Sequence, residues 1–224
     1  MLLQIPKVLS KDKLTVIQAI LAKSQFIDGK LSAGMAAERV KNNEEIAGDA
    51  REIQQLNNLV MGSLVQHPVY QSATLPIKIA SPFYARYRPG MTYGDHVDDP
   101  VMGPAQGRYR SDVSTTVFLN EPDSYEGGEL VIRTSFGDQQ IKLPAGYAVV
   151  YPSSSLHHVA EVTQGERLVA VTWAQSMVRD AAKRELLYEL NQARENLLKQ
   201  RPEEDATKRV DVAYVNLIRM WAET

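Results

Sequence analysis

Between residues 77 and 174 the chain breaks into seven short segments rich in Val, Ile, Thr and Tyr: 77–86, 111–119, 129–134, 139–143, 147–151, 157–162 and 167–174. Turn signals separate them: Pro89–Gly90, Gly127–Gly128, Gly137–Asp138, Pro144–Ala145–Gly146 and Gln164–Gly165. β-Branched and aromatic residues favour strands, while Gly and Pro close them. Connections this short favour antiparallel pairing, so the centre of the chain reads as an antiparallel sandwich or jelly roll.

Helical periodicity flanks this region. After a cap at Ser10, residues Leu14, Ile17, Ile20 and Leu21 recur at helical spacing, and the run breaks near Asp28–Gly29. A second amphipathic stretch is expected from about Glu44 to Val65, through Ile46, Ile53, Leu56, Leu59, Val60 and Leu64. Both helices are expected to cover one sheet's outer face. The end of the chain is helical again, with one stripe at Leu186, Leu190, Ala193 and Leu197. A second stripe takes Val210, Ala213 or Tyr214, Leu217 and Met220 or Trp221, after a polar break at 200–207. Such a hairpin is too small to hold its own core and must dock on the barrel or on a partner; a homodimer contact is one expectation. The organisation expected is a domain over 1–178 and a small helical domain over 179–224.

Composition narrows the chemistry. The chain has 224 residues, a formal net charge of −2 and no cysteine. Disulfides, thiolate metal sites and cysteine nucleophiles are excluded, so a metal must be held by His, Asp or Glu. The charge gives no reason to expect a nucleic-acid partner. No signal peptide or bilayer-spanning run is read, and the expectation is a cytoplasmic protein without a membrane partner.

Only four histidines are present, and one lies in GDHVDD, residues 94–99. On an extended segment, positions i and i+2 share a face, so His96 and Asp98 can project together. Such a pair can take two corners of an octahedron, and a distant histidine can complete the 2-His-1-carboxylate face used by non-haem Fe(II) oxygenases. The third ligand is expected from His157 or His158 in YPSSSLHHV; alternation lets only one of them face inward. Ten positions after His157, Arg167 opens the apolar strand RLVAVTWA. A guanidinium in such a setting needs an anion. It could pair with Glu161 or Glu166, or receive the distal carboxylate of a 2-oxo acid chelated to the metal.

Several stretches together resemble a known family. They are Tyr87, Gly90, Tyr93, His96, Asp98, Gly127–Gly128–Glu129, the 142–146 segment, His157, Arg167 and Trp173. With IPKVLS, VKNN, YPSSSLH, QSMVRD and the helical tail, they resemble the prolyl 4-hydroxylase-like 2-oxoglutarate/Fe(II) dioxygenases, and within these the bacterial PKHD-type hydroxylases. The resemblance implies an α+β fold: a double-stranded β-helix, or jelly roll, with N-terminal supporting helices and a C-terminal helical hairpin. It implies His96, Asp98 and His157 as Fe(II) ligands, and prefers His157 over His158 by its ten-residue spacing to Arg167. Arg167 becomes the partner of the 2-oxoglutarate C5 carboxylate, and Tyr87 a tyrosine near that co-substrate. Ser114, Thr116 and Phe118 share a strand face expected to line the same pocket.

The implied reaction couples decarboxylation of 2-oxoglutarate to succinate and CO2 with hydroxylation of a small-molecule or protein substrate. O2 is the other co-substrate, and ascorbate a further expected ligand. The family's association with iron uptake is carried as context. The segment between Asp98 and Asp112 is expected to meet the substrate, with Arg108 and Arg110 available to an acidic one. Two other readings stand beside this one: the same triad working without 2-oxoglutarate, and a non-catalytic jelly roll that senses iron or 2-oxoglutarate or binds a partner.

Overall fold

A computed structural model describes residues 1–223 of the chain; Thr224, the end of the expected tail domain, lies outside the described residues. The chain opens with strand β1 (Leu3–Ile5), helix α1 (Lys11–Leu21) and strand β2 (Phe26–Asp28). A 3-10 turn and the single-turn α2 (Met35–Glu38) lead to β3 (Lys41–Asn42) and β4 (Glu44–Ile46). Helices α3 (Ala50–Leu64) and α4 (Pro68–Thr74) come next. The strand region then runs through β5 (Pro76–Ile79), β6 (Phe83–Tyr87), β7 (Thr92–His96), β8 (Val101–Met102), β9 (Tyr109–Arg110) and β10 (Val113–Phe118). It continues with β11 (Tyr125–Gly127), β12 (Leu130–Thr134), β13 (Gly137–Ile141), β14 (Ala148–Pro152), β15 (His157–Val159), β16 (Val162–Gly165) and β17 (Arg167–Ser176). Helices α5 (Ala181–Gln200) and α6 (Asp205–Trp221) close the chain.

The strands form the two facing sheets of a jelly roll. One has the order β1-β14-β10-β17-β6-β4-β2, with β5 also paired to β17; the other has the order β13-β12-β15-β7-β3. All pairs are antiparallel, as the short connections require.

Alternation along β10 divides the protein into two cores. Val113 and Val117 join Ala148, Val150, Ala170 and Ala174 in a layer closed by Leu14, Ile17, Leu56, Val60 and Leu64 from α1 and α3. The helices thus cover the large sheet's outer face, as expected. Phe118 packs inward instead, with Tyr87, Leu130, Ile132, Tyr151 and Val169 between the sheets.

Local chemistry moves several boundaries. Ser10 caps α1, accepting from the Lys13 backbone N–H at 3.4 Å, but the helix ends at Leu21, before Asp28–Gly29. The second helix begins at Ala50 rather than near Glu44. Asp49 caps it, accepting from the backbone N–H groups of Arg51 and Glu52, and Glu44–Ile46 is a strand. The expected 77–86 strand breaks at Ala80–Ser81–Pro82 into β5 and β6, because Pro82 cannot donate to a ladder.

The tail docks on the barrel, though not by the stripe read from sequence. Leu186 is 55% exposed, and α5 instead buries Arg184, Leu187, Tyr188 and Asn191. Arg184 donates to the backbone carbonyls of Val178, Arg179 and Asp112, so a charged residue anchors the helix. The α6 stripe at Val210, Tyr214, Leu217 and Trp221 is half-buried.

Candidate metal and co-substrate site

The two histidines face each other across one strand pair. β15 runs antiparallel to β7 with His157 opposite His96, so both side chains enter the space between the sheets. The register shifts between His157 and Val159: two steps on β15 match three on β7, from Tyr93 to His96. This extra residue matters chemically. In a regular strand Tyr93 and His96 would point to opposite faces; the bulge rephases the chain and lets both point inward. Their rings stack at 3.7 Å with 11° between planes. Gly94 sits in the bulge, where a Cβ would come within 2.9 Å of the Val40 Cβ.

β7 ends at His96, and Asp98 follows in irregular chain rather than on the strand. It still converges with the histidines. Its Oδ1 lies 4.0 Å from His96 Nε2 and 3.9 Å from His157 Nε2, and the three ligand atoms lie within 4.8 Å of one another. Two donors bound to one ion at about 2.1 Å cannot be more than about 4.2 Å apart. Asp98 and each histidine therefore already meet that limit.

Second contacts fix the ligand atoms. His96 Nδ1–H donates to the Gly94 carbonyl at 2.8 Å, and His157 Nδ1–H to the Ser155 carbonyl at 2.9 Å. A carbonyl can only accept, so both Nε2 atoms carry free lone pairs toward Asp98. The Ser114 hydroxyl donates to Asp98 Oδ2 and is itself 2.8 Å from Ser153 Oγ. Burial and the nearby His157 pull the His96 pKa down from 6.5 to about 4, which keeps it in the neutral form a metal requires.

His158 points the other way. Its Nδ1 is 2.9 Å from Asp95 Oδ1, and Asp95 Oδ2 accepts from Arg133 at 2.5 Å on the outer face of the sheet. Alternation thus separates the paired histidines, leaving His157 4% exposed and His158 outside the cluster.

Arg167 is 1% exposed and lies opposite Tyr87, whose ring centroid is 4.9 Å from the guanidinium carbon; Phe118 lies 5.7 Å away. Its Nε and Nη1 are buried without a hydrogen-bond partner. Among the described residues no carboxylate forms an ion pair with it. Glu166 turns instead to Arg86 and Arg88, at 3.7 and 3.6 Å. A buried cation without a counter-charge is the feature that a ligand carboxylate would complete. The same interior raises the Tyr87 and Tyr151 hydroxyls by desolvation, so both stay protonated donors.

His96, Asp98, His157, Arg167 and Tyr87 all line one cavity of about 760 Å³, with Thr116, Tyr151 and Trp173. The segment after Asp98 reaches it too, as Met102, Gly103 and Tyr109 of the β8–β9 hairpin. Arg110 does not. It is tied to Asp112 at 2.7 Å, to Glu223 at 3.5 Å and to the Ser176 carbonyl, and is unavailable to an acidic substrate. Sequence reasoning passed over Lys41, Asn43 and Glu45, which also line the cavity. Their i, i+2, i+4 spacing is the signal, hidden because Glu45 falls inside the helix expected from about Glu44 while Lys41 and Asn43 enter only as part of VKNN.

Comparisons with known proteins place the chain in a class. Residues 82–175 match the model of the 2OG-Fe(II) oxygenase superfamily. The fold is shared with solved prolyl hydroxylases. A Pseudomonas putida prolyl-4-hydroxylase is 20% identical, with a TM-score of 0.54 over 78% of this chain and 92% of that one. A Trichoplax adhaerens prolyl hydroxylase, solved with a hypoxia inducible factor peptide, is 19% identical, with a TM-score of 0.57 over 83% and 86%. The protein is a 2-oxoglutarate- and Fe(II)-dependent oxygenase. Residues 181–223 match the PKHD-type hydroxylase C-terminal domain. A PKHD-type hydroxylase of Thioalkalivibrio sulfidiphilus is 56% identical, and one of Paracoccus denitrificans 44%, each over the full length of both chains. The chain belongs to the PKHD-type hydroxylase family. Among the described residues, no helix is long and apolar enough to cross a membrane.

Proposed function

We propose that His96, Asp98 and His157 hold Fe(II) and that Arg167 receives the C5 carboxylate of 2-oxoglutarate, so that the cavity hydroxylates a C–H bond of a substrate entering past the β8–β9 hairpin. The observation that carries this is the meeting of two free Nε2 lone pairs, a carboxylate oxygen and an uncompensated buried guanidinium in one cavity. When bound, iron with 2-oxoglutarate and O2 would supply oxidative decarboxylation to succinate and CO2 coupled to hydroxylation, one oxygen atom going to succinate and the other to the substrate.

The chain's own residues do the rest. The Gly94 and Ser155 carbonyls hold the two imidazoles in the Nδ1–H tautomer. Ser114 holds the Asp98 oxygen turned away from the histidines. The Tyr87 ring covers Arg167, keeping water from the guanidinium and raising its attraction for a carboxylate. Leu130, Val159 and Val171 supply apolar wall.

The test is anaerobic titration of the metal-free protein with Fe(II) and then 2-oxoglutarate, read by the visible charge-transfer band of a chelated 2-oxo acid. The band should form in wild type, vanish in His157→Ala and survive in His158→Ala. No band in the iron-loaded wild type refutes the assignment.

A further inference from the structure

The segment 41–46 bridges the two sheets. β3 pairs with β7, Lys41 opposite Tyr93, while β4 pairs with β6, Glu45 opposite Ala85. Alternation sends Asn42 and Glu44 outward, to the Gly90 carbonyl and to Arg86. It sends Lys41, Asn43 and Glu45 into the cavity wall. Lys41 is 6% exposed, its Nζ is 2.5 Å from Glu45 Oε1, and it donates to Ser32 Oγ at 2.9 Å. An ammonium has three donors, so one N–H remains. The Nζ also sits 5.5 Å from the centroid of the Tyr93 ring that stacks on His96.

A buried ion pair is a poor way to stabilise a fold, since desolvation offsets most of the attraction. Here the pair is already mostly buried but lines a cavity, so a substrate filling that space removes the water left to it. The other deep charges, Asp98 and Arg167, are assigned to metal and co-substrate. Asp99 and Lys78 line the mouth and are exposed, and Lys78 is tied to the Gly107 carbonyl. Lys41 and Glu45 are therefore the charges left for the substrate. An apolar group laid over them would leave both unsolvated. A singly charged group would attract one and repel the other. A dipolar group, with an N–H or ammonium beside a C=O or carboxylate, satisfies both.

We propose that the Lys41–Glu45 pair selects a substrate carrying an amide or amino-acid group, its donor on Glu45 and its acceptor on Lys41. This rests on the reading of the cavity as the oxygenase site and names the substrate class for it. A peptide chain and a free amino acid share the chemistry, and a charge series separates them.

For a panel of side chains, four forms of each amino acid are used: free (zwitterionic), N-acetylated (anionic), methylamidated (cationic) and both (a neutral peptide unit). Short alkyl alcohols serve as apolar controls. Binding is read by quenching of Trp173, which lines the cavity, with Trp221 as the constant background. Turnover is read as succinate released. One of the two dipolar forms should bind about tenfold more tightly than either singly charged form. A preference for the doubly capped form identifies a peptide substrate, and for the free form an amino acid. Glu45→Gln should shift the ranking toward the anionic form, and Lys41→Gln toward the cationic one.

Equal binding of all four forms, or a preference for the alcohols, overturns the proposal. So does an equal loss for all forms in both variants, since a merely structural pair would behave that way. Fluorescence needs no turnover, so the ranking is obtained even if the 2-oxo acid band fails to form. Failure of that band would sink the oxygenase assignment of the cavity, a different result from a flat charge ranking.

Discussion

Replacing Arg167 with methionine should stabilise the protein alone and destabilise it relative to wild type once co-substrate is added. In the free protein Arg167 Nε and Nη1 are buried without partners. Each such group costs about 1–3 kcal/mol, so their removal should return about 2–6 kcal/mol. The change also removes the guanidinium's contacts with Tyr87 and Phe118, at about 0.5–2 kcal/mol each. Mid-range values of about 4 and about 2.5 kcal/mol leave about 1.5 kcal/mol in favour of Arg167→Met, or roughly 3–6 °C in Tm for a chain of this size. Methionine keeps an unbranched stem in the same space, which limits the cavity left behind. Binding works the other way. Two charge-assisted hydrogen bonds to a carboxylate are worth about 3–6 kcal/mol, so 2-oxoglutarate should bind at least about 100-fold more weakly. The assay is thermal denaturation of both proteins, alone and with Ni(II) plus rising 2-oxoglutarate. Wild type should rise with ligand concentration and overtake a nearly flat variant. A variant less stable than wild type without ligand would mean the guanidinium is satisfied in the free protein. A variant that still rises with 2-oxoglutarate would remove Arg167 from the co-substrate site.

Ser114→Ala strips the hydrogen bond from Asp98 Oδ2 without touching a ligand atom, and should weaken Co(II) binding by about 10–100-fold in a calorimetric titration. For His96 the native state stays neutral down to about pH 4, while the unfolded chain takes up a proton below about 6.5. Stability of the metal-free protein present above that value should therefore be lost as pH falls toward 4, and denaturant melts of His96→Gln should show a shallower loss. In the tail, Leu187→Ala should cost about 2–5 kcal/mol and Leu186→Ala no more than about 0.5 kcal/mol, measured by urea unfolding, because Leu187 is fully buried and Leu186 is not.

Features carried by residue type or by a period of two were legible in the sequence. β10 alternates Ser114, Thr116 and Phe118 against Val113, Thr115 and Val117, and that alternation alone predicts which face meets the site. Alternation also required that only one of His157 and His158 point inward, which the strand pairing bears out. The C-terminal stripe failed for a physical reason. Leu186, Leu190, Ala193 and Leu197 repeat at helical spacing, yet the docking face is set by Arg184, whose guanidinium reaches three backbone carbonyls. A charge buried by hydrogen bonds to main chain leaves no hydrophobic trace. The helix expected from Glu44 failed because Lys41–Ile46 carries polar groups inward, the reverse of the pattern that marks a strand packed on an apolar core.

The bulge in β7 was the feature furthest from sequence reach, and it organises the site. A strand with an unbroken register would have placed Tyr93 and His96 on opposite faces. The extra residue brings them together and leaves Asp95 facing outward, where it meets His158 from the adjacent β15 and Arg133 from β12, one strand further. One local irregularity therefore aims a ligand inward, gives it a stacking partner and frees an acid to join β7, β15 and β12 from outside. Gly94 is the residue that permits it, since a Cβ there would strike Val40 on the segment that also carries Lys41. Metal ligand, cavity wall and the pair assigned to substrate thus meet at one glycine. Gly94→Ala should accordingly disturb metal binding and the charge ranking of substrates together, whereas Ser114→Ala should disturb only the first.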